Sequence, residues 1–206
     1  MIEQGRIEAY GQGGGLSWVD RFGVWLSARQ IRKQAGGLRG KRVADIGCGY
    51  HARFAMSIAE EAAHVTAVDV ALALEVKQHA RVTALSGQLP GVLAQVADSS
   101  MDVALCVSVL EHLWDAEGAL TGMYRILAPG GVLLLNVPSW RGKWFLEFSA
   151  FRLGLSPAVE MDDHKTYYDP RDLWPKLVRA GFKPSRIACF KHKFGLNTFA
   201  TCRKEG

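Results

Sequence analysis

The feature that decides the fold is the stretch Val43-Ala44-Asp45-Ile46-Gly47-Cys48-Gly49-Tyr50-His51. It is typical of a short apolar strand that contains one acid, ends in a turn with two glycines and enters a helix. Glycine has no Cβ and lets the backbone approach a ligand closely, and the helix that follows presents free N–H groups and the positive end of its dipole. The stretch therefore predicts the nucleotide-binding turn of a doubly wound α/β sheet.

The glycine turn alone leaves two cofactors open. Gly47-x-Gly49-x-x-Ala52 satisfies the dinucleotide fingerprint, and Asp69 follows at about the ~20-residue distance expected of a ribose-binding acid. Asp45 introduces a further requirement, because a carboxylate at the end of an apolar strand is costly to bury without a partner. A cofactor amino group is one natural partner for it.

Three further segments follow the turn in order. A second strand ends in Asp69, a third apolar strand runs into Glu111-His112, and Pro129-Gly130-Gly131 separates a helix from another strand. With these segments the chain resembles class I S-adenosylmethionine-dependent methyltransferases, whose hallmarks are similar to D-x-G-x-G, a distal acid, V-L-E-H-L and L-x-P-G-G. The resemblance covers roughly residues 40–205 and implies S-adenosylmethionine as cofactor and S-adenosylhomocysteine as product.

The C-terminal part of the sequence is a second discriminator. Residues 186–192 and 198–202 are typical of two strands joined by a short turn at 195–197, which predicts a hairpin and hence one antiparallel strand. Class I methyltransferases resemble this arrangement, and six-stranded dinucleotide folds do not. We therefore expect a doubly wound, Rossmann-like, mostly parallel seven-stranded α/β sheet with a C-terminal antiparallel hairpin. The expected domain spans 41–206, after a helical extension over 1–40.

Local patterns place the other elements. We expect strands at about 42–46, 64–68, 81–86, 103–107 and 131–137, with helices over 18–33 and 52–62. Ser17 is the expected cap of the first helix. The residues that recur at helical spacing on one face of this helix are Trp18, Phe22, Trp25 and Leu26, and we expect the helix to pack on the domain or to cover the cofactor.

The resemblance implies a set of cofactor contacts. The residues that match it are Asp45, Gly47, Cys48, Gly49, Tyr50, Asp69, Val70, Gln88, Leu89, Ser108 and Glu111. In such a site Asp69 binds the ribose. Gln88 stands where relatives often carry an acid that accepts from the adenine amino group, and glutamine can accept through its carbonyl oxygen. His51 replaces the family's third glycine, so it either limits the approach of the backbone or lines the pocket.

Methyl transfer is an in-line displacement, for which an enzyme must mostly align the reactants and exclude water. A general base is needed only when the acceptor is a hydroxyl or a protonated amine. His112 and His164 are the candidates, because imidazole titrates near neutral pH. Glu111-His112 can instead be an architectural pair that orients the cofactor or caps a helix. No pair of residues has the spacing diagnostic of metal ligands, so we expect no metal.

The segment 139–168 is an insert rich in aromatic and basic residues. It is interpreted as a lid over the acceptor pocket, a surface for a homodimer or another partner, or a helix that lies on a membrane. The whole chain carries a net charge of +5, and from His164 onward ten Lys or Arg face three Asp or Glu. This local excess fits an acidic acceptor, an anionic membrane or a solvated helix face. Nucleic acid is not an expected partner, because no recognised binding module accompanies the basic residues.

Composition bounds the location of the protein. No apolar run approaches the ~20 residues of a membrane span and no signal core is recognisable, so we expect a cytoplasmic protein with its four cysteines as free thiols. The predicted function is S-adenosylmethionine-dependent methylation of a small-molecule acceptor, such as a metabolite, a lipid head group or a sugar. The alternatives are a non-catalytic regulator that binds the same cofactor and an NAD-dependent oxidoreductase.

Overall fold

A seven-stranded sheet organises the chain in a computed structural model that describes residues 9–11, 18–144 and 165–206. Its strands are β1 (Arg42–Ile46), β2 (His64–Asp69), β3 (Val82–Ser86), β4 (Met101–Val107), β5 (Leu127–Pro138), β6 (Ile187–His192) and β7 (Asn197–Arg203). The strand order is β3-β2-β1-β4-β5-β7-β6. Among these strands, β1 to β6 run in one direction and β7 runs in the opposite direction. The predicted mixed sheet with a C-terminal hairpin is confirmed.

Helices cover both faces of the sheet. They are α1 (Trp18–Ala35), α2 (Arg53–Ile58), α3 (Leu74–Lys77), α4 (Ala116–Ile126) and α5 (Pro170–Arg179). Residues 140–144 are also helical, and short 3₁₀ turns connect other elements. Alternate residues of the central strands point to opposite faces, so each face buries an apolar layer. One layer lies beneath α1, α2 and α3, and the other beneath α4 and α5.

Helix α1 packs on the sheet, but the expected buried face was partly wrong. The described side chains that are buried on it are Ser27, Ile31 and Ala35, which recur every four residues. Trp25 is 54% exposed, with the Arg29 guanidinium 5.9 Å from the centre of its ring. The cap at Ser17 and the side chains of Trp18 and Phe22 lie outside the described residues. Helical spacing alone did not distinguish two adjacent faces of the helix.

Helix α2 is shorter than predicted, because the residues that follow it form hydrogen bonds with the segment before β1. Its C-terminal residue is Ile58, whereas the apolar pattern predicted a helix up to Ala62. The carbonyl of Glu61 accepts from the N–H of Gly40 at 3.0 Å, and the N–H of Ala63 donates to the carbonyl of Lys41 at 2.9 Å. These bonds hold the end of the connection beside the start of β1. β2 can then begin at His64.

The carboxyl ends of the six strands β1 to β6 lie at one edge of the sheet, because these strands run in the same direction. In doubly wound folds, ligands bind in the crevice outside this edge. Within the part of the chain that the structure describes, no helix has the length and apolar content needed to cross a bilayer. The boundary between an extension and a domain near residue 40 stays a prediction.

Candidate functional site

The turn after β1 requires glycine at two positions. Gly47 and Gly49 have φ angles of +73° and +77°, in the left-handed region that favours glycine. A Cβ on Gly47 would lie 2.1 Å from Cγ2 of Val109, and a Cβ on Gly49 would lie 3.1 Å from the carbonyl oxygen of Tyr10. The N–H of Gly47 donates to the carbonyl of Val68 at 2.7 Å, which fixes the turn to the end of β2.

Asp69 holds the same turn from the side of β2. Its Oδ2 accepts from the N–H of Gly49 at 2.7 Å, and its Oδ1 accepts from the N–H of Val70 at 2.8 Å. An ionised carboxylate is an acceptor that also suits the hydroxyl groups of a ligand. Asp69 therefore shapes the glycine turn, and the predicted ribose contact stays a prediction.

Asp45 is a buried acid directly below the turn, at 6% exposure. Burial raises the pKa of its carboxyl to about 7; a backbone hydrogen bond from Ala55 lowers it, and the nearby charge of Asp69 raises it further. A positively charged group bound at this edge would favour the ionised form of Asp45. The predicted partnership with a cofactor amino group fits this chemistry and stays a prediction.

The segment that follows β3 lies beside the carboxyl end of β2. The carbonyl of Asp69 accepts from the N–H of Gly87 at 2.9 Å, which brings the predicted adenine contacts Gln88 and Leu89 close to the end of β2. His51 takes a different position, because its Nδ1 lies 2.7 Å from Oε1 of the exposed Glu75. The imidazole is thus engaged at the surface beside α3.

The segment after β4 forms the second half of the site. Ser108 adopts a left-handed conformation with φ +56°, and its N–H donates to the carbonyl of Asn136 at 2.8 Å. Glu111 is 1% exposed, and its backbone carbonyl accepts from the N–H groups of Lys165 at 2.7 Å and Thr166 at 3.3 Å. The segment 165–168, which follows the insert, is therefore fixed directly against the predicted acceptor side.

His112 is half-buried at the end of the 3₁₀ turn Leu110–His112. A cleft of about 390 Å³ begins at the next residue and is lined by Trp114, Glu117, Lys165, Tyr168 and Lys176, among others. The ammonium of Lys165 lies 5.1 Å from the centre of the Trp114 ring. Burial, and then the charge of Glu111, raise the pKa of Tyr168 to about 12, so its hydroxyl stays protonated.

The two halves of the candidate site meet where Gly47 lies against the side chain of Val109. His164 lies outside the described residues, as do Asp162 and Asp163. Among the residues that are described, no group of three His, Cys, Asp or Glu side chains is arranged to hold a metal ion. Cys48 is inert as a nucleophile at neutral pH, because burial raises the pKa of its thiol.

The sequence did not reveal one contact at the site. Residues 9–11 lie against the glycine turn, where the carbonyl of Tyr10 accepts from the N–H of Tyr50 at 2.9 Å. Ala9 is 5% exposed, so this segment is part of the fold. Neither Ala9 nor Tyr10 belongs to a recognisable motif, and the contact between Tyr10 and Tyr50 spans forty positions of sequence. No local pattern could therefore have predicted it.

Comparisons with known proteins agree with the fold. The sequence profile of the family described as "Methyltransferase domain" matches residues 20–185. Among curated proteins, the ubiquinone biosynthesis O-methyltransferase of Klebsiella pneumoniae is 34% identical over 183 residues, which cover 82% of this chain and 73% of that protein. The enzyme of the same description from Escherichia coli O6:H1 is 29% identical over 180 residues, with the same shares of the two chains.

A solved structure gives the same result for the fold. The crystal structure of an S-adenosylmethionine-dependent methyltransferase from Archaeoglobus fulgidus superposes with a TM-score of 0.65 and 14% identity. The match covers 91% of this chain and 100% of that one.

Proposed function

Because this chain belongs to the methyltransferase-domain family and is a class I S-adenosylmethionine-dependent methyltransferase, we propose that it methylates an oxygen atom of a small-molecule acceptor. The observation that carries the choice of oxygen is the relation to curated O-methyltransferases, which reaches 34% identity over most of both chains. Family membership also favours S-adenosylmethionine over NAD as the cofactor, which was the principal alternative for the glycine turn.

The residues at the carboxyl edge of the sheet fit S-adenosylmethionine. The left-handed glycines Gly47 and Gly49 form the turn at the carboxyl end of β1, and the buried carboxyl of Asp45 suits the cationic end of the molecule. The carboxylate of Asp69 is an acceptor that suits the ribose hydroxyls, with Gln88 and Leu89 beside it for the adenine. The remaining predicted contacts follow the ends of β1, β2 and β4 in sequence; they are Cys48, Tyr50, Val70, Ser108 and Glu111.

His112 is the base that this arrangement supports best. It directly follows Glu111, and the cleft lined by Trp114 and Lys165 begins beside it. S-adenosylmethionine supplies an electrophilic methyl group on a sulfonium, whose positive charge is lost as the carbon–sulfur bond breaks. The imidazole of His112 takes the proton of the acceptor hydroxyl as the oxygen–carbon bond forms, which leaves neutral S-adenosylhomocysteine.

The same base favours a phenolic hydroxyl. Imidazole has a pKa of about 6.5, a phenol such as tyrosine about 10, and water about 15.7, so a phenol loses its proton to imidazole far more readily than an alcohol. The acceptor that we propose is therefore a small phenol. An acidic group on it could bind Lys165, whose ammonium lines the cleft. Sugars and lipid head groups, which offer alcohols, are the competing acceptors.

The experiment that tests the function separates cofactor from acceptor. Calorimetry with S-adenosylmethionine, S-adenosylhomocysteine and NAD should detect binding of the first two only. Label from methyl-labelled S-adenosylmethionine should then appear on catechol and not on glucose or ethanolamine. Binding without transfer to any acceptor, including those in a cell extract, would indicate a non-catalytic regulator. Heat with NAD alone would contradict the assignment of the cofactor.

Location and assembly are further expectations. We propose a cytoplasmic enzyme that does not bind nucleic acid, because the excess of basic residues is local and lacks a recognised binding module. A homodimer built on the insert at about 139–168 remains a competing interpretation. Sedimentation velocity at two protein concentrations would distinguish a monomer from a dimer.

A further inference from the structure

The turn of the C-terminal hairpin holds an aromatic ring in solvent at a conformational cost. Phe194 is 85% exposed, and both it and Lys193 have positive φ angles, +60° and +49°. A residue other than glycine is strained in this region of conformation, and such strain persists where the surrounding structure imposes it. A polar residue, or a glycine, would fit this turn better. The presentation of Phe194 therefore calls for an explanation beyond folding.

The hairpin turn is fixed to the start of the insert. Ser139 donates from its backbone N–H to the carbonyl of Leu196 at 3.0 Å and from its hydroxyl to the carbonyl of Gly195 at 2.8 Å. The fit is close, because a Cβ on Gly142 would lie 2.1 Å from the carbonyl oxygen of Leu196. The hairpin turn and helical residues 140–144 thus form one continuous surface at the carboxyl edge of the sheet.

This surface combines aromatic and basic side chains. We define the hairpin-turn surface as Arg141, Trp144, Lys191, Lys193 and Phe194. Trp144 is 74% exposed, and it follows Arg141 by three positions of helix, so the two share a side. The guanidinium of Arg141 and the stem of Lys191 both lie close to Gly195.

The charge of this surface is uniformly positive in sequence. Neither segment that builds it, 139–144 or 187–204, contains an Asp or Glu. Exposed aromatic rings beside lysine and arginine match the boundary of an anionic bilayer, where rings enter the headgroup region and cations meet lipid phosphates. A protein partner buried on the same rings would instead have to neutralise several cations, and DNA would offer the rings no apolar layer.

We propose that the hairpin-turn surface docks the enzyme on a membrane that contains anionic lipids. Phe194 and Trp144 enter the interface, and Arg141, Lys191 and Lys193 bind the lipid phosphates. The crevice at the carboxyl edge of the sheet then lies next to the bilayer, because β5 ends directly before Ser139. An acceptor dissolved in the membrane could reach the site without crossing water. The docking itself requires neither cofactor nor turnover.

The test measures flotation of the purified full chain with vesicles of phosphatidylcholine alone or with 30% phosphatidylglycerol added. We expect binding to the anionic vesicles only, weakened by salt. Phe194→Asn keeps a residue that tolerates positive φ, and Lys191→Ala removes one exposed charge. We expect each to weaken binding by about fivefold, and the double variant by about twentyfold.

The matched controls are Leu74→Asn and Lys77→Ala on α3. Both side chains are exposed, and α3 packs on β3 at the opposite end of the sheet from β6. These variants should bind vesicles like the unmodified chain. Equal flotation with neutral and anionic vesicles would overturn the proposal. So would an unchanged double variant, or a dimer that Phe194→Asn dissociates while vesicle binding is absent. Because flotation is measured without S-adenosylmethionine, its failure would leave the proposed methyl transfer intact.

Discussion

The two halves of the candidate site, one at the ends of β1 and β2 and the other at the ends of β4 and β5, differ in how they are formed. Over β1 and β2, the site is formed by backbone, since two left-handed glycines and the carboxylate of Asp69 set the path of the chain. After β4, the candidate site is a cleft lined by side chains such as Trp114 and by residues 165–168, which follow the insert. We expect the cofactor, which is common to the whole family, to bind the half whose geometry tolerates few residues. We expect the acceptor to contact the side chains of the other half, which can change without changing the fold.

The strongest test of this contrast is Gly47→Ala. The new Cβ would collide with Val109 and would also be strained at positive φ, so we expect no measurable binding of S-adenosylmethionine and a lower melting temperature. Gly37→Ala is the matched control, because Gly37 has φ +85° but no atom near its Cβ position. It should lose about 1 kcal/mol of stability and keep its cofactor affinity. Normal binding by Gly47→Ala would show that the turn is not the cofactor site.

A smaller effect is expected on the acceptor side from His112→Gln. We expect kcat to fall by about a hundredfold, with no change in the affinity for S-adenosylmethionine, because the imidazole handles the acceptor proton. His64→Gln is the control, since His64 begins β2 at the opposite edge of the sheet and contacts Thr83 at 2.8 Å. The pH–rate profile of the variant should also lose its acidic limb, which is the rise of the rate with pH as a general base is deprotonated. An unchanged kcat would indicate that Glu111 and His112 have a structural role instead of a catalytic one.

The smallest effect concerns the protonation of Asp45. Its pKa of about 7 lies above the ordinary value of 3.8, so the carboxyl is mostly protonated at pH 6 and mostly ionised at pH 8. The ionised form attracts a cationic cofactor, and the affinity for S-adenosylmethionine should rise across this range by up to about tenfold per pH unit. Asp45→Asn should abolish that rise. Calorimetry at pH 6, 7 and 8 provides the measurement.

The stability of the cofactor-free protein should change in the opposite direction. A folded pKa above the unfolded one means that the folded state binds the proton more tightly. The free energy of unfolding should therefore fall as pH rises from about 4 to about 7 through this group. Urea unfolding of the unmodified chain and of Asp45→Asn would isolate the contribution of Asp45. A parallel dependence in both would assign it to other groups.

The same contrast explains what the sequence could predict. β1 was located to the residue, because a strand that ends in Asp45-Ile46-Gly47 leaves little freedom in register. The hairpin was also predicted, since two β-rich runs flank a glycine-containing turn. These are local features, in which neighbouring residues carry the whole signal.

Contacts between distant segments were the ones that the sequence could not predict. The carbonyl of Tyr10 meets Tyr50, and the carbonyl of Glu111 meets Lys165, through backbone atoms that no residue type identifies. The buried side of α1 was misjudged at Trp25, because an amphipathic pattern does not say how much of a helix surface the sheet covers.

The place of β7 in the sheet has a consequence for how the protein is made. β7 is the last of the described strands in sequence, yet it lies between β5 and β6 and is hydrogen-bonded to both. While the chain is being synthesised, the exposed edge of β5 has no partner until Arg203 has left the ribosome. Unpaired strand edges invite pairing with other chains. We therefore expect a nascent chain to be prone to aggregate just before synthesis reaches β7.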